Sequence, residues 1–222
     1  DYIDCGDSND FSFGNGTTDS PFSISFWTKI QPTAATTTIF IGKDSGGSSR
    51  EYAIGMFSGA RKIRFFIKNQ GGNNQQSVDS TNGLLDNTWY NVICTYNGVG
   101  GSNAADGMNI YINGSQEILS NVTKNAYTAM NNTTAPLTIG KYGASPSQLL
   151  GNLDEPSIFD YALTQQNITD IYCSEKPTDL SLLATPPIAW YRMGDLVTAF
   201  PTIPDVIGTN DGTAFNENEA TM

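Results

Sequence analysis

Apolar residues return at every second position in a series of short runs, each cut off by a glycine- or asparagine-rich stretch. In residues 21–30 (PFSISFWTKI) Phe22, Ile24 and Phe26 alternate with Ser23, Ser25 and Trp27. In 87–98 (NTWYNVICTYNG) Tyr90, Val92, Cys94 and Tyr96 alternate with Asn91 and Thr95. A period of two is that of a strand, whose successive side chains point to opposite faces. Residues 61–69 (RKIRFFIKN) set Ile63, Phe65 and Ile67 against Lys62, Arg64, Phe66 and Lys68, which predicts one dry face and one wet one. Met108, Ile110 and Ile112 lead into Asn113-Gly114, a pair that tolerates positive φ and so favours a type I′ hairpin turn. Glycine-rich stretches at 45–49, 71–74 and 98–107 read as surface loops. Gly, Asn, Thr and Ser are abundant while Lys, Arg, Glu and Leu are scarce, in keeping with many short strands and tight turns. The fold class expected is all-β.

One short helix interrupts the pattern, LTQQNITDIY at 163–172. Thr164 is its cap, Leu163 and Ile168 form a hydrophobic staple, and Ile171 and Tyr172 continue the apolar stripe. The stretch SEKPTDLSLLATPP that follows has the proline and polar content of a connector. The organisation expected is a main unit over 1–175, a linker over 176–187, and an appendage over 188–222 with an aromatic strand (Ala189 to Met193) and a TNDGT turn.

Charge and residue usage remove several functions. With 22 acidic against 11 basic residues the formal charge is -11, which repels phosphate backbones and anionic lipid, so neither nucleic acid nor a membrane surface is expected as a partner. No apolar run approaches the ~18 residues that would span a bilayer, and no basic-then-apolar leader opens the chain, so neither membrane insertion nor a targeting segment is expected. Asp1 reads as a processed or cropped start. Cys5, Cys94 and Cys173 are odd in number and far apart, which fits neither a disulfide framework nor a thiolate metal site. There is no histidine, hence no Ser-His or Cys-His nucleophile and no imidazole base.

Three landmarks then fall in order: DYIDCGDSNDFSF with FSISFWTKI, NTWYNVICTYNG with MNIYINGSQ, and LTIGKYG with LLGNLDEPSIFDYALTQQNITDIY. In order and spacing they resemble the laminin G-like and pentraxin-like jelly rolls of the concanavalin A-like lectin/glucanase superfamily, over about residues 1–175. The resemblance implies a two-sheet antiparallel β-sandwich with a short C-terminal helix. The tail, IAWYRMGD through IPDVIGTNDGTAFN, looks like the segment that opens such domains just before a DYID strand. It either begins a further repeat, the reading favoured because Asp1 starts inside the motif, or folds back as a permuted closing strand. Its wording also resembles that of marine bacteriophage structural proteins, which implies a virion component.

Carboxylates in GNLDEPSIFDY invite comparison with glucanases of the superfamily, which carry Glu-x-Asp-x-x-Glu on a strand, but no Glu of this chain begins that motif. On a strand Asp154 and Asp160 lie roughly 20 Å apart, against the roughly 5–10 Å that paired carboxylates need, and alternation points Glu155 the other way. The resemblance instead implies a structural Ca²⁺ held by Asp154 with the N-terminal segment, where Asp4 and Asp7 lie. The alternative is that Asp154 caps its strand through backbone N–H groups. The pentraxin double-calcium site would follow Gly140, where Lys141, Tyr142, Gly143 and Ala144 carry no acid, and Asp44 and Ser45 of its other limb read as loop. What is left is recognition by loops and sheet face. The stretches at 69–76 (Asn73, Asn74, Gln75) and 140–148 (Tyr142), with Tyr52 and Arg64, are candidates to bind a glycan or cell-surface polysaccharide, while Trp27 and Trp89 read as core.

The function expected is thus a non-catalytic binding or adhesion module for glycans on a virion or extracellular surface. The alternative is a structural capsid or fibre decoration module that binds other virion proteins. A polysaccharide hydrolase or lyase is disfavoured.

Overall fold

A computed structural model describes residues 1–32, 37–57, 60–69, 74–141, 149–197 and 199–215. Its strands are β1 (Tyr2–Asp4), β2 (Phe22–Ile30), β3 (Thr37–Gly46), β4 (Ser49–Phe57), β5 (Lys62–Lys68), β6 (Gln75–Gly83), β7 (Trp89–Tyr96), β8 (Met108–Ile112), β9 (Ser115–Gln116), β10 (Leu119–Lys124), β11 (Thr138–Ile139), β12 (Gly151–Phe159), β13 (Ala189–Trp190), β14 (Thr202–Ile203) and β15 (Gly212–Phe215). They form two antiparallel sheets, one of nine strands in the order β10-β6-β5-β4-β3-β11-β1-β15-β14 and one of six in the order β13-β12-β2-β7-β8-β9. This is the all-β sandwich.

Alternation decides what fills the space between the sheets. Phe22, Ile24 and Phe26 of β2 and Val92, Cys94 and Tyr96 of β7 meet Ile54 of β4, Ile63, Phe65 and Ile67 of β5, and Val78 of β6 in one buried cluster. Phe22 is its hub, stacked on Phe13 at 4.4 Å and edge-on to Phe65 at 5.8 Å. Burying each such ring stabilises the fold by roughly 2–3 kcal/mol. The Asn113-Gly114 turn joins β8 to β9 with both residues at positive φ, 51° and 77°, as a type I′ turn requires. Of the predicted loops, 101–107 instead winds into a 3₁₀ turn that buries Ala104, Ala105 and Gly107.

The helix, α1 (Gln165–Tyr172), starts at Thr164, whose hydroxyl accepts from the Asn167 N–H while the Asn167 side chain accepts from the Thr164 N–H. Ile168 and Ile171 pack with Leu163, Phe159, Tyr111 and Trp190 on the outside of the six-stranded sheet. The connector beyond it is not a free spacer: Leu180 is buried in the same cluster and the Tyr161 hydroxyl donates to the Thr185 carbonyl at 2.7 Å. Residues 188–215 then extend both sheets. β13 pairs with β12, and β15 pairs with β1 through Tyr2↔Phe215 and Asp4↔Thr213. Tyr191 is fully buried in the main core, and Asp205 accepts hydrogen bonds from the backbone N–H groups of Trp190, Ile207, Gly208 and Asn210.

Candidate functional site

The two faces of the nine-stranded sheet differ in kind. Inward-facing Ile54, Ile63, Phe65 and Ile67 belong to the main core, whereas Ile39, Ala53 and Phe66, with Phe57, form a separate small cluster on the outer face. Around this outer cluster stand the charged groups that alternation sends the same way. The Arg64 guanidinium lies 5.1 Å from the Phe57 ring and grips Asp79 with two hydrogen bonds, 2.6 and 2.8 Å. That pairing raises the Arg64 pKa. The Lys68 ammonium lies 4.5 Å over Phe66. The RKIRFFIKN face expected to be wet is therefore largely covered: Phe66 is 2% exposed and Lys68 6%, because long cationic stems lie along the rings.

At the hairpin end of this face, polar groups lie close without bonding. Asp44 of β3 stands opposite Arg50 of β4. Its Oδ1 accepts from the Gly46 N–H at 2.8 Å, with Arg50 Nε at 3.6 Å; its Oδ2 has Lys68 Nζ at 3.7 Å. Both are beyond a good hydrogen bond. Among the described residues Asp44 Oδ2, Arg50 Nε and Ser77 Oγ are buried with no hydrogen-bond partner, and Ser77 is the cross-strand neighbour of Phe66. Burial pushes the Lys68 ammonium down despite Asp44 beside it. Buried polar groups are nearly always satisfied, by protein or by ordered water, so these three atoms make the hairpin end of this face a candidate for an outside partner.

Two of the residues expected to bind ligand border this cluster. Gln75 is the cross-strand neighbour of Lys68, and the Asn74 carbonyl closes the end of the β5–β6 hairpin by accepting from the Asn69 N–H. Arg64 lies further along the same face. Asn73 and Tyr142 lie outside the described residues. Tyr52 is a correction: it is 0% exposed, its ring packs on Phe22 at 4.9 Å and its hydroxyl donates to the Phe11 carbonyl, so it is core and cannot touch a ligand. Trp27 is core, stacked on Tyr172 at 5.9 Å, whereas Trp89 is 41% exposed with the Lys29 ammonium 5.2 Å over its ring, against the expectation of burial. Asp44 had read as loop, but it lies within a ten-residue strand, two positions before its end at Gly46. Phe66 and Lys68 were signalled by the period of β5; Arg50 and Ser77 had no signal, since their neighbours come from other strands.

The carboxylates expected to share a Ca²⁺ do not converge. Asp154 pairs across to Trp27, on the outside of the six-stranded sheet, while Asp4 lies on β1 of the other sheet. Each already accepts a backbone N–H, from Glu155 at 3.0 Å and from Gly6 at 2.8 Å. Asp7 takes the Lys43 ammonium at 2.8 Å. Among the described residues no three His, Cys, Asp or Glu side chains are grouped to hold a metal. A hard cation needing six or more oxygens is poorly served by this set. Nor does Glu155 point away from Asp154 as alternation implied. A bulge slips the register between Asp154 and Ser157, Glu155 takes φ 53°, and its Oε2 accepts from the Trp190 indole N–H at 2.5 Å.

A concavity of about 530 Å³ is lined by Asn9, Asp10, Ser12, Phe13, Ser20, Asp160 and Ile188, and three of its polar side chains already have partners. Asn9 is bonded to Asn132, Asp10 to Ser8 and Asn210, and Ser12 to Glu51. The outer sheet face is the better site.

A profile of laminin G-like domains, described as concanavalin A-like lectin/glucanases superfamily, matches residues 2–169. The chain belongs to this superfamily. No curated protein matches this laminin G-like domain. Among solved structures it is similar to a protein of Bacteroides ovatus provisionally described as carbohydrate binding, at TM-score 0.65 and 17% identity, over 96% of this chain and 55% of that one. It is also similar to a receptor-binding domain at TM-score 0.51 and 23% identity, over 72% and 37% of the two chains. A pentraxin of Limulus polyphemus gives TM-score 0.47 and 16% identity, over 77% and 81%. The laminin G-like domain thus spans about half the length of the Bacteroides protein.

Proposed function

We propose that the chain is a non-catalytic carbohydrate-binding module that seats a glycan on the outer face of its nine-stranded sheet. The observation that carries this reading is the set of buried polar atoms without a hydrogen-bond partner among the described residues, Asp44 Oδ2 and Arg50 Nε at the hairpin end of the face and Ser77 Oγ opposite Phe66. A sugar presents hydroxyls that donate and accept on its edge, which is the complement of such a set of polar atoms. Membership of a superfamily named for lectins and glucanases supports it, as does the fold shared with a protein described as carbohydrate binding. The chain lacks histidine and the Glu-x-Asp-x-x-Glu strand, which supports binding without hydrolysis. An extracellular or virion surface is the setting that goes with this proposal. A glycan array probed with the whole chain tests it: binding that Asp44→Asn abolishes is expected. Silence on the array, with tight incorporation into particles, would replace it by the decoration reading.

A further inference from the structure

The charge of the outer face runs against that of the chain. Among the described residues, strands β4 and β5 turn Arg50, Lys62, Arg64 and Lys68 to this face, four of the eleven basic residues in the sequence. The acids facing the same way on the adjoining strands are Asp44 and Asp79. Asp79 is fully engaged, by Arg64 through both oxygens and by the Asn121 amide at 3.1 Å. Asp44 is left with two cations and no hydrogen bond from either. A chain of formal charge -11 has thus gathered an excess of cations on one sheet face, and at that face's hairpin end two cations share one carboxylate.

We propose that this face takes an acidic glycan, one whose rings carry a carboxylate or a sulfate ester beside free hydroxyls. The proposal rests on the glycan-binding reading and specifies its ligand class. The ligand anion accepts from Arg50 and Lys68, and a neighbouring ring hydroxyl donates to Asp44 Oδ2. Both demands come from one sugar ring, whereas a neutral sugar meets only the second and a simple anion only the first. Arg50 is the movable part. Its side chain is 29% exposed and its Nε has no hydrogen bond to hold it over Asp44, so swinging it toward the ligand uncovers the carboxylate. The acidic remainder of the chain does not forbid the approach, because at about 0.15 M salt charges beyond about 8 Å are largely screened while contacts on the face are not. A charge-assisted hydrogen bond is about twice as strong as a neutral one, which makes the anion the main source of discrimination.

Titration calorimetry of the whole chain with polygalacturonate, dextran sulfate and plain dextran, at about 0.15 M salt, tests this. At least one of the two acidic polymers is expected to bind and plain dextran is not, and the polymer that binds names the anion. Arg50→Gln and Lys68→Gln are each expected to weaken that binding about tenfold, and Lys176→Gln, exposed on the connector, to leave it unchanged. Circular dichroism and melting of each variant accompany the titrations; Arg50→Gln removes no hydrogen bond of Nε and is the arm that decides if Lys68→Gln fails to fold. Equal binding of plain dextran, unaffected by Arg50→Gln but lost in Asp44→Asn, overturns the acidic class and leaves the glycan reading standing. No binding of any of the three polymers, with silence on the array, overturns both. Loss in Lys176→Gln equal to that in Arg50→Gln reduces the effect to general charge attraction and overturns the site.

Discussion

Lys43 and Asp44 are neighbours on β3, and strand geometry sends them to opposite faces of one sheet. Both are buried, Lys43 at 0% exposure and Asp44 at 3%. Their surroundings differ completely. The Lys43 ammonium donates to Asp7 at 2.8 Å, to Glu51 at 2.9 Å and to the Thr133 carbonyl at 3.0 Å, which uses all its protons. Glu51 Oε1 also accepts from the Thr133 N–H and hydroxyl, yet its Oε2 has no partner and burial raises its pKa, the ammonium offsetting part of this. That network ties β3 and β4 to the segments before β2 and β11. Asp44 has cations nearby that do not bond to it. Burial alone therefore says little about role: the Lys43 ammonium has every proton placed while Glu51 beside it keeps one oxygen unpartnered, and Asp44 has two cations near it with a hydrogen bond from neither.

Four substitutions test that division, from the largest effect to the smallest. Lys43→Met leaves Glu51 and Asp7 without their cation, and breaking a buried pair costs about 3–5 kcal/mol, read as a lower urea midpoint. Partial recovery in Lys43→Met with Glu51→Gln is expected; none would mean that the ammonium's packing matters and not its charge.

Glu155 adds a third buried charge to the comparison. Burial pushes its carboxyl from 4.5 up to about 7, the Trp190 hydrogen bond partly offsetting this and Asp154 adding to it. A folded-state pKa above the unfolded one means that the folded chain holds the proton more tightly. Its contribution is therefore fully present below about pH 4.5 and is lost as pH rises through about 7. Glu155→Gln, which keeps an acceptor for Trp190, is expected to be more stable than the parent by about 2 kcal/mol at pH 8 and to flatten the stability curve between pH 5 and 7. Parallel curves for the two proteins would refute the shift.

Tyr52→Phe removes the hydroxyl that Phe11 accepts and should cost about 1 kcal/mol while leaving glycan affinity unchanged. A fall in affinity would bring Tyr52 back to the site. Asp44→Asn, which keeps Oδ1 as acceptor for the Gly46 N–H and loses no hydrogen bond to a cation, is expected to cost clearly less stability than Lys43→Met and yet to lose binding. A large loss of stability would move Asp44 to the scaffold side of the comparison and take the proposed site with it.

Of the predicted elements, those that depend on near neighbours were legible. The alternation in β2, β5 and β7, the Asn113-Gly114 turn and the Thr164 cap all act within a few residues, and each occurs where its local chemistry demands. The site was legible only in part. Of the residues expected to bind ligand, Asn74 and Gln75 border the proposed cluster and Arg64 lies further along its face, and β5 itself showed that Arg64, Phe66 and Lys68 share a face. That this face is covered, not wet, depends on side chains lying over rings that come from two strands.

By itself, then, the sequence determined the strand period, the hairpin turn, the helix with its cap, the excess of acid and the absence of imidazole, because each is a property of residue type and short spacing. Only the tertiary structure decided that Tyr52 is core, that a bulge turns Glu155 toward Trp190, that Asp4 and Asp154 lie on different sheets, and that Asp44, Arg50 and Lys68 meet. The physical reason is register. A shift of one residue in strand pairing exchanges the faces of a sheet, and pairing is set by the whole core rather than by any stretch read alone.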